Sequence, residues 1–290
     1  LNGILLIDKP EGLSSAAVVR LVKKALALEK VGHLGTLDPF ASGLLPLCLG
    51  TGTKIAQFLI AERKAYRGTI RLGIETDTLD VTGAVTRITP VPSYGADTLR
   101  DLEQRFLGDY QQTPPMYSAL KRNGVPLYKL ARRGVVVERE PRTVHIEQFS
   151  LAPLAHDTLE FSVTCSKGTY VRVLAADLGA ALGCGAHLAS LCRTRFGEFS
   201  ITAALPLQKV LEKCELRASL LSPAQAMRQY PVLQISSELA ARLRRGQQEA
   251  LRSLPKATGE QKIASLLDLN AELVAVVENR NGQWRLVRVL

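Results

Sequence analysis

Residues 32–43 read GHLGTLDPFASG. One carboxylate, Asp38, stands among glycines and small apolar residues directly before a proline, and His33 is its only ionisable neighbour in the stretch. A carboxylate can act as nucleophile or base without a metal or a second carboxylate. Asp-Pro and Gly-rich runs are also ordinary turn punctuation. To stay ionised in a dry pocket the carboxylate needs a cation, and an adjacent guanidinium lowers an Asp pKa by roughly 1–3 units. Residues 166–179, SKGTYVRVLAADLG, offer one: Gly168 lets the chain turn, and Tyr170 and Arg172 open a helix. On that segment alone Arg172 reads better as a surface ion pair. Other chemistry lacks its signature. The sequence holds no G-x-x-x-x-G-K-[ST], no H-E-x-x-H and no G-x-S-x-G. GTGTK at 50–54 is too short for a phosphate loop, and four histidines make a histidine triad possible but unsupported.

The bulk of the chain narrows the choice. It has 290 residues, enough for one large domain and a small one, and 46% of them are hydrophobic. Lysine and arginine number 37 against 27 acidic residues, a net charge of +10. That excess favours a polyanionic partner, nucleic acid first. The five cysteines, Cys48, Cys165, Cys184, Cys192 and Cys214, are odd in number and include no C-x-x-C. This points to reduced thiols in a cytoplasm. Cys184, His187 and Cys192 cluster in sequence, but no fourth ligand accompanies them and zinc is not expected. LNGILLIDKP has no basic region before its apolar run, so no signal peptide is expected, and charged residues interrupt 171–191, so no membrane span is expected there.

The elements that must position these groups follow from periodicity. Strands are expected at 4–8, 65–73, 84–88, 135–140, 142–154, 158–166 and 195–201, and a short apolar run at 44–50. Helices are expected from Ser14 to about Leu28, from Thr53 to Ala61, and over 97–107 and 169–183. Residues 74–83 read as a polar loop. The segment 108–134 holds three prolines, three tyrosines and five basic residues, and reads as an extended arm ending in a short basic helix. From Pro231 the pattern restarts: a strand, a helix over SSELAARLRRG, then strand-like runs at 261–268, 271–278 and 283–290, the last two joined at Asn281-Gly282, a hairpin signal. Strands joined sometimes by helices and sometimes by short turns give an α+β class with a mixed, largely antiparallel sheet.

Five stretches together resemble one family: DKPEGLSS (8–15), GHLGTLDPFASGLLPLCLGTGTK (32–54), KAYRGTIRLG (64–73), MYSALK (116–121) and SKGTYVRVLAADLG. They are similar, in the same order over about residues 2–200, to the bacterial tRNA pseudouridine-55 synthases, the TruB branch of the pseudouridine synthases. Gly52 departs from the alanine more usual there, outside the reacting centre. The resemblance implies a catalytic domain over 1–228, carrying an RNA-grasping arm at about 108–134, and a small PUA-like RNA-binding β domain over 229–290. It implies isomerisation of one uridine of the tRNA T arm to pseudouridine, with no cofactor and no metal. Asp38 matches the catalytic aspartate, either nucleophile on the nucleoside or base on the sugar, and Arg172 the arginine paired with it. Tyr66 matches the tyrosine stacked on the target base near the sugar, and Tyr170 and Leu191 line the uracil pocket. His33 helps to hold the unstacked nucleotide, and Lys9 matches a basic residue of the first motif that supports structure or contacts phosphate. Lys121, Arg122, Lys129, Arg132 and Arg133, interleaved with Tyr117 and Tyr128, suit RNA grasping. A cytoplasmic monomer without a membrane or an obligate protein partner is expected. Two alternatives stand beside this: a guide-RNA-dependent rRNA synthase, disfavoured by the absence of an N-terminal extension and the short C-terminal domain, and a tRNA-binding chaperone whose catalysis is secondary.

Overall fold

The structure, a computed structural model, describes residues 1–60, 63–122, 124–256 and 262–290. β1 (Gly3–Lys9) is the apolar run expected at 4–8. Ser14 caps α1 (Ser15–Ala25) by accepting the Ala17 N–H at 3.1 Å. That helix stops short of Leu28 because Ala27 turns to a left-handed φ of 50°. β2 (Val31–His33) and β3 (Ser42–Leu49) flank the Asp38 loop. The helix expected from Thr53 is instead a 3-10 turn over Gly50–Ile55 leading into the single turn α2 (Ala56–Leu59). Thr53 does not cap it: its hydroxyl donates back to the Gly50 carbonyl at 2.7 Å. The expected helix end, Ala61, lies outside the described residues, as do Asn123 in the arm and Gln261, the expected start of a strand.

β4 (Lys64–Leu72) is the expected alternating strand. Part of the expected loop 74–83 is strand: β5 (Ile74–Thr76) pairs with β6 (Val85–Ile88). Three residues are too few to show a period of two, so only the partner strand reveals it. α3 (Ala96–Phe106) buries Leu99, Leu102 and Phe106 on one face. The arm contains β7 (Gly108–Gln112), the two-residue strands β8 (Lys121–Arg122) and β9 (Val125–Pro126), and α4 (Leu127–Ala131). No strand forms at 135–140, where Val135 and Val136 are exposed. β10 (Arg142–Ala155) and β11 (Thr158–Cys165) precede α5 (Val171–Leu182), which ends at Gly183 in the left-handed region. β12 (Ala186–Phe196) is eleven residues long, and its periodicity announced only the last two. Ala186, His187 and Leu188 are buried in a row and Arg193 is buried further on, so burial there does not follow an apolar–polar alternation. Short elements follow: β13 (Phe199–Ser200), β14 (Leu205–Pro206), α6 (Leu207–Leu211), α7 (Leu216–Ser219), β15 (Leu220–Leu221) and α8 (Pro223–Ala226). The chain ends with β16 (Val232–Gln234), α9 (Ser237–Arg244), β17 (Ile263–Leu267), β18 (Leu273–Arg280) and β19 (Gln283–Val289).

These elements form two compact units, Leu1–Leu37 with Leu44–Ala61 and Glu198–Leu290, and Asp38–Gly43 with Glu62–Gly197. In the first, β1 runs parallel to β14 and antiparallel to β15, and β2 runs antiparallel to β3. The same unit holds a four-stranded sheet in the order β16-β17-β18-β19. That small sheet has its own core of Leu243, Leu251, Leu266, Val274, Val277 and Trp284, packed under α9. Asn281 and Gly282 take φ of 54° and 79° in the β18–β19 turn, the conformation an Asn-Gly hairpin needs. In the second unit β12, β4, β11, β10 and β7 pair antiparallel in that order. Ser42 and Gly43 add to β12 in parallel, so the sheet is mixed. Among the described residues no helix is long and apolar enough to cross a membrane.

Candidate active site

Asp38 follows a backbone held at both its polar groups. The Ser15 hydroxyl, fully buried, accepts the Leu37 N–H at 2.8 Å and donates to the Leu37 carbonyl at 3.0 Å. A turn then closes, with the Ala41 N–H donating to the Asp38 carbonyl at 3.1 Å. Gly43, two residues further, sits at a φ of 101° against β12. A Cβ there would stand 2.5 Å from the Arg193 carbonyl oxygen, so only glycine fits.

Arg172 lies in the first turn of α5 and is 4% exposed. Its Nε meets Asp38 Oδ2 at 3.0 Å, and Nη1 meets Asp80 Oδ2 at 3.3 Å. Nη1 also donates to the Thr78 carbonyl at 2.9 Å and Nη2 to the Tyr117 carbonyl at 2.7 Å. A guanidinium stretched between two carboxylates and two carbonyls has its donors committed, so its orientation is fixed. Asp38 keeps a side chain 35% exposed, whereas that of Asp80 is buried at 5%. The Asp80 Oδ1 accepts from Thr78 Oγ1 at 2.8 Å, Thr82 N at 3.0 Å and Thr82 Oγ1 at 2.5 Å. Asp38 is thus the carboxylate open to a ligand, and Asp80 the one that holds the arginine. Asp80 escaped the sequence reading. Its signal, an aspartate between Thr78 and Thr82 in an Asx-type turn, also fits any loop.

The other residues that the resemblance assigns to the base lie on β4, β12 and the start of α5. Tyr66 on β4 lies directly across from Arg193 on β12 and from Val163 on β11. Burial pushes the Tyr66 phenol up, and the Arg193 guanidinium pulls the other way. Arg193 is 1% exposed and its guanidinium carbon stands 5.3 Å from the Phe196 ring centroid. Leu191 is buried on β12 opposite Gly68, and its carbonyl accepts from Ser42 Oγ at 3.4 Å. Tyr170 caps the start of α5. Burial raises its phenol, while Ser118, Arg142 and Arg172 draw it partly back. Asp38, Arg172, Tyr66, Tyr170 and Leu191 therefore share one unit. Tyr66 and Tyr170 both feel the charge of Asp38. His33, at the end of β2, and Lys9, at the end of β1, belong to the other unit. Lys9 is fully buried, and its ammonium donates to the Pro10 and Leu13 carbonyls at 2.7 Å each, which supports the turn after β1.

Lys121, Arg122, Lys129, Arg132 and Arg133 are all exposed on the arm. Arg122 donates to the Glu138 carbonyl at 2.8 Å, and Arg132 lies over the Tyr128 ring at 5.7 Å. Among the described residues no three His, Cys, Asp or Glu side chains are grouped to hold a metal. The Cys184 thiol turns to the Gly185 carbonyl, and His187 Nδ1 lies 2.9 Å from the Ile74 carbonyl.

Two family models match consecutive stretches. Residues 23–171 match the TruB family pseudouridylate synthase N-terminal domain, and residues 172–229 match the tRNA pseudouridylate synthase B C-terminal domain. The chain belongs to the TruB family of pseudouridine synthases. It is an isomerase. Curated relatives carry the name tRNA pseudouridine synthase B. That of Syntrophotalea carbinolica is 46% identical over 84% of this chain and 80% of its own length. That of Geobacter sulfurreducens is 40% identical over 98% of this chain and 95% of its own. A chain in a Cbf5–Nop10–Gar1 complex superposes with a TM-score of 0.73 at 24% identity, over 99% of this chain and 84% of that one. A chain of an H/ACA RNP bound to a substrate RNA containing 2'-deoxyuridine also gives 0.73, at 23% identity over 99% and 84%. The fold is that of the pseudouridine synthases, and the TruB motifs are the segments that build the Asp38–Arg172 pair.

Proposed function

We propose that this TruB chain converts uridine 55 in the T arm of tRNA to pseudouridine, with Asp38 as the catalytic carboxylate. The observation that carries the reading is the half-exposed Asp38 held on Arg172 by a 3.0 Å contact, beside Tyr66 and Tyr170. The reaction breaks the N1–C1′ bond, turns the uracil and joins C5 to C1′. The C5 proton leaves, N1 is protonated, and no atom is gained or lost, so no co-reactant is needed. Asp38 serves it ionised, as nucleophile on the nucleoside or as base on the sugar, and Arg172 favours that ionised form. Tyr66 stacks on the base, and Leu191 and Tyr170 bound it. A glycosidic bond inside a folded T arm is out of reach until the nucleotide is flipped out, and aromatic stacking then replaces what the base loses.

The exposed cations of the arm, Lys121, Arg122, Lys129, Arg132 and Arg133, grip the phosphates. His33 helps to hold the flipped nucleotide. The relatives' shared name supports tRNA as the substrate, and the five free cysteines fit a reducing cytoplasm. The chain acts as a monomer, with residues 229–290 as an RNA-binding module. A single-turnover assay on an unmodified tRNA transcript tests this. Pseudouridine at position 55 without guide RNA is expected. A requirement for guide RNA, or tRNA refolding without isomerisation, overturns it.

A further inference from the structure

Gln112 ends β7 and is 1% exposed, and its amide grips one residue from both sides. Oε1 accepts the Tyr170 N–H at 2.7 Å, and Nε2 donates to the Tyr170 carbonyl at 3.1 Å. That carbonyl also accepts the Val173 and Leu174 N–H groups at 3.0 and 3.1 Å, the bonds that begin α5. Arg172 lies between. Five residues beyond Gln112, the Tyr117 carbonyl takes the Arg172 Nη2 at 2.7 Å. Tyr110, on the same strand, donates to Asp177 further along α5. One segment, 110–117, thus holds α5 at a side chain, at its first backbone bonds and at its guanidinium. The same segment runs into the cations that begin at Lys121.

A glutamine amide can accept from an N–H and donate to a C=O of the same residue while adding no charge. Glutamate could only accept, and would put a carboxylate against the Tyr170 carbonyl in place of a donor. We propose that Gln112 is a positioning residue: it fixes the start of α5, and thereby sets Arg172 against Asp38 and couples the arm to the catalytic pair. This rests on the proposed roles of Asp38 and Arg172. The groups facing Asp38 include Arg172 of α5, the Tyr66 phenol of β4 and the Tyr170 phenol, with Asp80 across the guanidinium.

The test compares the parent chain with Gln112→Met, the near-isosteric Gln112→Glu, and Gln111→Met, an exposed neighbour bonded to Thr143. The measurements are the single-turnover rate on a saturating tRNA transcript, RNA affinity, the pH–rate profile, and hydrogen exchange at the Tyr170 amide. For Gln112→Met the rate falls about 10- to 100-fold, since small misplacements are amplified in rate. Affinity stays within about threefold, because the loss is in the transition state. The acid limb moves to higher pH as Arg172 withdraws, and Tyr170 exchange accelerates. Gln112→Glu keeps the Tyr170 amide protected but loses rate, and Gln111→Met behaves as parent. An unmoved acid limb with a parent-like rate, or a rate loss matched by an equal loss of affinity, overturns the proposal. So does unchanged Tyr170 exchange in Gln112→Met. A parent that does not isomerise the transcript defeats the functional reading instead, while the exchange result still decides whether Gln112 holds α5.

Discussion

Asp38 and Asp80 touch the same arginine but differ in exposure, and that difference assigns them different work. Asp38→Asn is isosteric, so tRNA affinity should hold while the single-turnover rate falls by about 10²–10⁴, the range for losing a positioned base. Retention of a tenth of the rate would remove Asp38 from the chemistry. Arg172→Met should also cripple turnover, and its pH–rate profile should show the sign of the effect. A guanidinium favours the carboxylate, so without it the active form appears only at higher pH and the acid limb shifts upward. Removing it also leaves Asp80 buried without its cation, which costs about 3–5 kcal/mol, so a lower melting temperature should accompany the kinetic change. Tyr66→Ala should weaken the hold on the flipped base by about 1–3 kcal/mol, and Tyr66→Phe by less, since stacking uses the ring. Equal effects of the two would place the importance of Tyr66 in its hydroxyl.

At the scale of elements, the turn joining β17 to β18 depends on one carboxylate. Asp268 Oδ1 accepts the Glu272 N–H at 3.1 Å and the Asn270 N–H at 3.0 Å, and Oδ2 meets Arg244 at 3.2 Å. The Glu272 N–H chiefly, then the Asn270 N–H and Arg244, hold the Asp268 carboxyl below its ordinary value, against a smaller opposing effect of burial. A depressed carboxyl contributes stability that is present above its unfolded value and lost as pH falls through the folded one. Amide protection of β17 and β18 should therefore decline in the acid range, and Asp268→Asn should flatten that decline. A wild-type pH dependence in the variant would refute the assignment. The elements also divide by how visible they were. α1 and α3 carry their own periodicity and, for α1, a capping serine. β12 does not, because its buried positions run consecutively over Ala186–Leu188 and include the polar His187 and Arg193.

For the whole molecule the dominant quantity is the net charge of +10. Lys129→Glu, Arg132→Glu and Arg133→Glu should each weaken tRNA binding and flatten its salt dependence by about 0.7–0.9 units of log–log slope per lost phosphate contact. Titration at several salt concentrations measures this, and an unchanged slope would take the residue off the RNA. Deleting residues 229–290 is a less clean experiment. Tyr230 donates to the Phe58 carbonyl at 2.7 Å and Lys54 to the Val289 carbonyl at 3.1 Å, within the same compact unit. The truncated protein should melt earlier as well as bind whole tRNA more weakly, so point substitutions at Arg242 and Arg245 separate the two effects.

The sequence by itself, through the resemblance its motifs carry, singled out Asp38, Arg172, Tyr66 and the basic arm as candidates. Each sits in a contiguous motif whose glycines, prolines and caps act over a few residues. Only the tertiary structure decided what surrounds them. Arg172 reaches Asp38 across 134 positions of chain, Tyr170 meets Gln112 across 58, and Leu37 meets Ser15 across 22. Asp80, Gln112 and Ser15 bear no local mark of their role, because an aspartate in a turn, a glutamine ending a strand and a serine opening a helix satisfy local rules whether or not a distant group needs them. Their partners are fixed by which strands pair and where a helix begins, and that is settled by burial of the sheet as a whole, not by neighbours in sequence.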